Sequence, residues 1–348
     1  MLHRFAFGRR INSAAIAATL LLGVVAGAHA ALIASEPVTA LAFAPDGALV
    51  VGRSTAGVEI VENVEGSSRR ARTIECGLGR VTAVALSPAG DVLAIAGGSP
   101  DDEGGFELRK ISSGELVSKS LPHRDVAHAV AFSPRGSFVA TAGHDRLVVV
   151  ADARSGEVRE RFRGHSRPVL AVEFLSEDVL VSAGADHSLR VWKLGEERAT
   201  RILDQHQGAV HALALRPRED STGPAILASA GADGTVRLWQ PGIGRLVRFA
   251  RLPSPPLDLA WEPDGRMIIA ACRDGIVRRI DPEAVEVISE KRIARGWLYA
   301  VAASKAGGFA AGGDGGALEM NARFEKLPTP DAEGHRDESH PPDEEKVK

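Results

Sequence analysis

The chain has 348 residues, 44% of them apolar and 25% charged, which suffices for a large core and excludes a disordered or collagen-like polymer. Its 42 Lys and Arg against 45 Asp and Glu leave a formal charge of −3, which removes the electrostatic case for a nucleic-acid binder. With 37 glycines beside one tyrosine and three methionines, the composition points to many tight turns and therefore many short strands.

Residues 1–30 read as a cleaved signal peptide. Arg4, Arg9 and Arg10 form a basic start, residues 14–28 are an apolar run, and Ala28-His29-Ala30 supplies small residues for a signal peptidase. The competing reading is a membrane anchor, but the run falls short of the roughly 20 residues that span a bilayer. Export by the general secretory route is expected; the Arg9-Arg10 pair leaves the twin-arginine route open. The mature product is then soluble, periplasmic or secreted, and does not insert into the membrane. Residues 328–348 hold seven acidic and three basic groups and four prolines with no apolar periodicity, and read as a disordered acidic tail.

Between these ends one phrase recurs seven times. It begins at Val38, Val81, Ala127, Val169, Val210, Pro256 and Leu298, and its sixth residue recurs at intervals of 43, 46, 42, 41, 46 and 42 residues. Such a period means one supersecondary unit copied along the chain. Within a unit the phrase is an alternating strand closed by a Pro/Gly turn such as residues 134–136; two more short apolar runs follow, and a fourth run such as EVRERF at residues 157–162 leads into the next copy. One four-stranded sheet cannot bury both faces, whereas copies arranged radially can, and closing the ring protects the edges. An open stack would need polar caps at both ends. Small residues at the third place of the phrase (Ala83, Ala129, Ala171, Ala212, Ala300) suit convergence on a crowded axis. The expected fold is all-β: a seven-bladed propeller of four-stranded antiparallel blades over residues 31–327, with residues 31–36 completing the last sheet.

The units resemble the WD-repeat (beta-transducin repeat) family, with the leader suggesting an exported bacterial member. The likeness covers residues 38 to about 320 and is strongest in units four and five, where VWK at Trp192, LWQ at Trp239 and Gly164-His165 stand. The resemblance implies a structural hydrogen-bonded tetrad of His, Ser or Thr, Asp and Trp. Unit four carries His165, Ser182, Asp186 and Trp192, and unit five carries His206, Ser229, Asp233 and Trp239. Unit three keeps His123, Thr141 and Asp145 but has Ala151 for the Trp; units six and seven keep only Asp274 and Asp314.

Two Ser/His/Asp sets invite a catalytic reading, which would need an exposed serine and an oxyanion hole. Sets that recur at the period of the fold, each with an indole donor, are better explained as buried paired networks. No nucleophile elbow, phosphate loop or metalloprotease motif occurs, so no catalytic residue, metal ligand set or cofactor is expected.

The resemblance also implies that a partner docks on the narrow face, near the central opening. On that basis Arg80, His128, His144, His211, Arg273, Trp297 and Tyr299 are the candidate contacts, a set rich in the aromatic and Arg residues that dominate interaction hot spots. The expected function is a non-catalytic protein–protein interaction scaffold or accessory subunit. The alternative is a small-molecule, metal or cofactor-binding propeller, with an enzymatic role left open, whose site at the central opening is built from His128, His144, His211 and Arg273; that reading rests on fold analogy. Cys76 and Cys272 fall in units two and six, too far apart around a ring for the roughly 7 Å that a disulfide permits. Both are expected to be free and reachable, Cys76 the more so.

Overall fold

The computed structural model describes residues 36–324, apart from 56, 65–66 and 218–222. The expected leader (1–30), the acidic tail (328–348) and, except for Glu36, the segment expected to complete the last sheet lie outside the described residues.

The described residues form seven antiparallel sheets in chain order, six of four strands and a seventh of three (Leu298–Ala303, Phe309–Gly313, Leu318–Ala322). The one helical element among them is a single 3-10 turn, Asp314–Gly316. Each copy of the recurring phrase is the first strand of its sheet: Val38–Phe43, Arg80–Leu86, Ala127–Phe132, Val169–Phe174, Val210–Leu215, Pro256–Trp261 and Leu298–Ala303. These strands stand side by side around the axis, and the last touches the first. The chain is a seven-bladed β-propeller.

The core is divided as a propeller requires. Seven separate apolar clusters occur, each filling the wedge between two neighbouring blades. Between blades 3 and 4, Phe162 stacks on Trp192 with ring centroids 5.0 Å apart. Val38, Leu49 and Val51 of blade 1 pack on Ala310 of blade 7 and close the ring. Gly312 permits this approach, because a Cβ there would lie 2.5 Å from Val38 Cγ1. Fully buried side chains such as Trp239, Phe106 and Phe309 each contribute about 1.5–3 kcal/mol through removal from water.

One feature of every blade escapes a period-two reading. The pairing of first and second strands slips at the second residue of the phrase in all seven blades. That residue is a β-bulge, and a bulge re-aims its side chain. The bulged residues are Thr39, Thr82, His128, Leu170, His211, Leu257 and Tyr299, and all seven line the central channel.

Candidate docking face and central channel

The His/Ser/Asp sets form closed relays. In blade 4 the Trp192 indole donates to Ser182 Oγ at 2.8 Å, Ser182 lies 2.7 Å from His165 Nε2, and His165 Nδ1 lies 2.9 Å from Asp186. Because a carboxylate can only accept, the ring proton sits on Nδ1, and Nε2 accepts from the serine hydroxyl. Blade 5 repeats the relay through Trp239, Ser229, His206 and Asp233 at 2.8, 2.7 and 3.0 Å. Blade 3 has His123 between Thr141 (2.8 Å) and Asp145 (2.9 Å), with no indole. Ser182 and Ser229 are fully buried, so neither can reach a substrate. Burial alone would raise the Asp233 carboxyl, but the Thr235 hydroxyl, the Gln207 N–H and His206 hold it well below the usual range. Burial likewise opposes Asp186, which its bond from His165 and the Ser166 N–H hold low. Burial outweighs the pull of Asp233 on His206 and pushes that imidazole down to about 4.

The other blades tie the same region with ions. In blade 6, Arg278 donates to Asp274 at 2.7 and 3.0 Å and to Glu290 at 2.8 Å. Blade 1 buries the Arg53–Glu59 pair at 3.1 Å, and blade 2 joins buried Glu107 to Arg109 at 2.7 Å and to Lys119 at 3.3 Å. In blade 7, Asp314 accepts from the Trp297 backbone N–H at 2.9 Å and from the Tyr299 hydroxyl at 2.6 Å. The carboxylate that sequence reading treats as a remnant therefore holds both Trp297 and Tyr299.

The candidate contacts fall into three groups. The Arg273 guanidinium lies 4.0 Å from the centre of the Trp297 ring, a cation–π geometry, and Trp297 meets Tyr299 edge-on at 6.2 Å. Trp297 is 39% exposed, enough to offer its outer surface to a partner. Burial raises the Tyr299 phenol to about 12, with Asp314 adding to the shift, so it remains a hydrogen-bond donor at neutral pH. His211 joins this group: burial and then the charge of Arg273 lower its imidazole. On the opposite side of the mouth, His128 Nε2 and His144 Nδ1 are 3.0 Å apart and share one proton. Burial and then His144 push His128 down to about 4. Arg80 is exposed at the start of the first strand of blade 2 and belongs to neither group.

The channel below the mouth encloses about 280 Å³. At the third and fifth places of the phrase, six blades have Ala and one has an acid: Asp258 at the third place of blade 6 and Glu173 at the fifth place of blade 4. Both acids line the channel. Asp258 accepts from the Val301 and Leu259 N–H groups at 2.8 and 2.9 Å, which joins blade 6 to blade 7. Glu173 has no hydrogen-bond or ion-pair partner among the described residues. Burial raises Glu173 to about 7; it raises Asp258 to about 7 as well, despite its two N–H donors. These two acids are visible in the sequence only as breaks in an alanine pattern. No three His, Cys, Asp or Glu side chains among the described residues form a metal-holding group.

Both cysteines are free, but the expected reachability of Cys272 is corrected by its environment. It is 0% exposed, packed in the wedge between blades 5 and 6, and burial pushes its thiol to about 11. The end of the second strand is an interior position, since the third strand and the neighbouring blade cover it. Cys76 is half-buried, and burial raises its thiol too.

Comparison with known proteins matches the WD40 repeat (WD domain, G-beta repeat) at residues 114–152, 156–193, 197–240 and 252–281. The mouse F-box-like/WD repeat-containing protein TBL1X is 28% identical over 127 residues, which is 36% of this chain and 24% of that protein. Human TBL1Y, of the same description, is 28% identical over 137 residues, covering 39% of this chain and 25% of its own. The ribosome biogenesis protein YTM1 of Meyerozyma guilliermondii is 46% identical over 70 residues, 18% of this chain and 16% of that protein. The chain thus spans about a quarter or less of the length of these relatives. The chain is thus a seven-bladed β-propeller, four stretches of which match the WD40 repeat.

Proposed function

We propose that this propeller is an exported, non-catalytic scaffold that docks another protein on the face where its innermost strands begin. The observation that carries the reading is the Arg273–Trp297–Tyr299 cluster, in which Asp314 holds the aromatic pair and the guanidinium stacks on the indole. A preorganised aromatic and Arg patch with an exposed ring is the chemistry of an interface hot spot. The burial of both tetrad serines argues against a hydrolase, and TBL1X, TBL1Y and YTM1 are not named for an enzymatic activity. Export rests on the leader pattern of residues 1–30, and N-terminal sequencing of the mature protein should begin near Ala31.

The test is affinity capture from the exported fraction of the source cells, with Trp297→Ala/Tyr299→Ala beside the wild-type bait. The double variant should lose the partner that the wild type recovers. Identical recovery would move the docking site elsewhere. A second reading, a small-ligand site in the channel, has the unpartnered Glu173 in its favour, a group suited to a small organic cation. Calorimetric titration with putrescine should show saturable binding that Glu173→Gln abolishes if that reading holds.

A further inference from the structure

The outer part of the docking face carries a second feature. Beside blade 3 lies a pocket of about 680 Å³ lined by Arg124, Arg146, Arg161 and Arg163, together with His144 and Asp145. All four arginines are exposed, and none has a carboxylate within ion-pair distance among the described residues. The acid in the pocket is already committed. Asp145 accepts from His123 and the Leu147 N–H on one oxygen and from the Arg124 N–H on the other.

The neighbouring units treat arginine differently. In blades 4, 5 and 6 an Arg four residues beyond the turn Asp reaches back to it, at 3.9, 3.4 and 2.7 Å. In blade 3 that place is Val149, and the four arginines come from elsewhere: the loop before the first strand, the turn after the second, and the end of the outer strand. Within the outer strand Arg159 pairs with Asp152, whereas Arg161 and, just beyond the strand, Arg163 have no ion pair among the described residues. Four like charges around one cavity repel one another, a cost that an incoming anion offsets. The fork of each guanidinium fits a carboxylate with two parallel hydrogen bonds.

We propose that this pocket docks an acidic segment of the partner protein, its Asp or Glu carboxylates meeting Arg124, Arg146, Arg161 and Arg163. His144 borders both the pocket and the channel mouth, so one partner can cover the pocket and the mouth together. The inference rests on the reading of this face as a docking surface and gives it a sign: the partner presents negative charge here, although the propeller's own chain is acidic overall. Contacts of this kind steer encounter as well as hold it, and so weaken with salt.

The experiment uses the full chain and a fluorescein-labelled decaglutamate peptide as probe, read by anisotropy, with a decaglutamine peptide as control. The wild type should bind decaglutamate and not decaglutamine, with affinity falling severalfold between 50 and 200 mM NaCl. Arg146→Glu/Arg163→Glu should weaken decaglutamate binding at least tenfold while the circular dichroism spectrum and melting temperature stay unchanged. Equal affinity of wild type and double variant, or equal binding of decaglutamine, would overturn the proposal. An oligothymidylate of the same length that binds more tightly than decaglutamate, with the same arginine dependence, would replace it with a nucleic-acid site. If wild type binds decaglutamate only after the acids of residues 331–345 are changed to their amides, the occupant is the chain's own C-terminal segment and the proposal fails. The two readings separate cleanly. Decaglutamate binding indifferent to the arginines, with partner capture still lost in the Trp297/Tyr299 variant, sinks this inference alone. Capture indifferent to Trp297 and Tyr299 sinks the docking reading whatever the arginines do.

Discussion

Blades 3 to 5 and blades 1, 2 and 6 solve the same structural problem with different chemistry. In the first group an imidazole sits between a buried hydroxyl and a carboxylate, and in blades 4 and 5 an indole completes the relay. In the second group the region is held by an Arg–carboxylate pair with no imidazole relay beside it. A relay of this kind has every buried donor and acceptor matched, so it is rigid and unforgiving of any single loss. An ion pair is more exchangeable, because its Coulombic gain is largely offset by desolvation. The same blade geometry is compatible with either, which is why unit-to-unit sequence drift leaves the fold intact.

The largest expected effect breaks the relays. Asp233→Ala strips the acceptor from His206, Gln207 and Thr235 at once and should cost about 3–5 kcal/mol in urea unfolding. By contrast, replacing both partners in blade 1, Arg53→Met/Glu59→Met, should cost less than about 2 kcal/mol. If the double replacement costs as much as Asp233→Ala, the distinction between the two groups of blades is wrong.

A smaller effect sharpens the comparison through pH. Burial raises Glu173 from 4.5 to about 7, so the folded state favours the protonated form. Its contribution is full below pH 4.5 and is lost as pH rises through about 7. Glu173→Gln should therefore match wild type near pH 4 and exceed it by about 1–3 kcal/mol at pH 8. His206 works in the opposite sense: it is neutral in the fold, lowered from 6.5 to about 4, so its contribution is present above 6.5 and is lost as pH falls to 4. Denaturant midpoints of the wild type and Glu173→Gln at four pH values between 4 and 8 measure the first effect. A constant difference across that range would mean that Glu173 stays ionised.

The smallest effect isolates the indole. Trp192→Phe keeps most of the buried ring and removes one N–H···Oγ bond, and should cost about 1 kcal/mol. The converse change, Ala151→Trp in blade 3, enters a position 1% exposed and should destabilise by about 1–3 kcal/mol through overpacking rather than completing the relay. A stabilised Ala151→Trp protein would show that the blade 2–3 wedge has room for an indole.

Much of this molecule is legible along the chain. Seven copies of one phrase specify seven blades, and the His, Ser or Thr and Asp of blades 3 to 5, with the Trp of blades 4 and 5, stand at spacings that already name the relay members. That information is local and periodic, so it survives in one dimension. The second residue of each phrase was legible as a position near the central opening but not as a bulge, because a slip in register depends on the strand paired with it. Asp314 reads as a tetrad remnant until Trp297 and Tyr299 are seen bound to it. Cys272 reads as reachable until blade 5 covers it, and Glu173 and Asp258 read as ordinary acids until burial at the axis raises both toward neutrality. Four arginines scattered from 124 to 163 share a pocket only because three loops and strand ends of blade 3 meet at one face. Pattern along the chain determined the architecture; convergence, burial and the partnering of charges were decided by the ring, because each depends on groups that are distant in sequence.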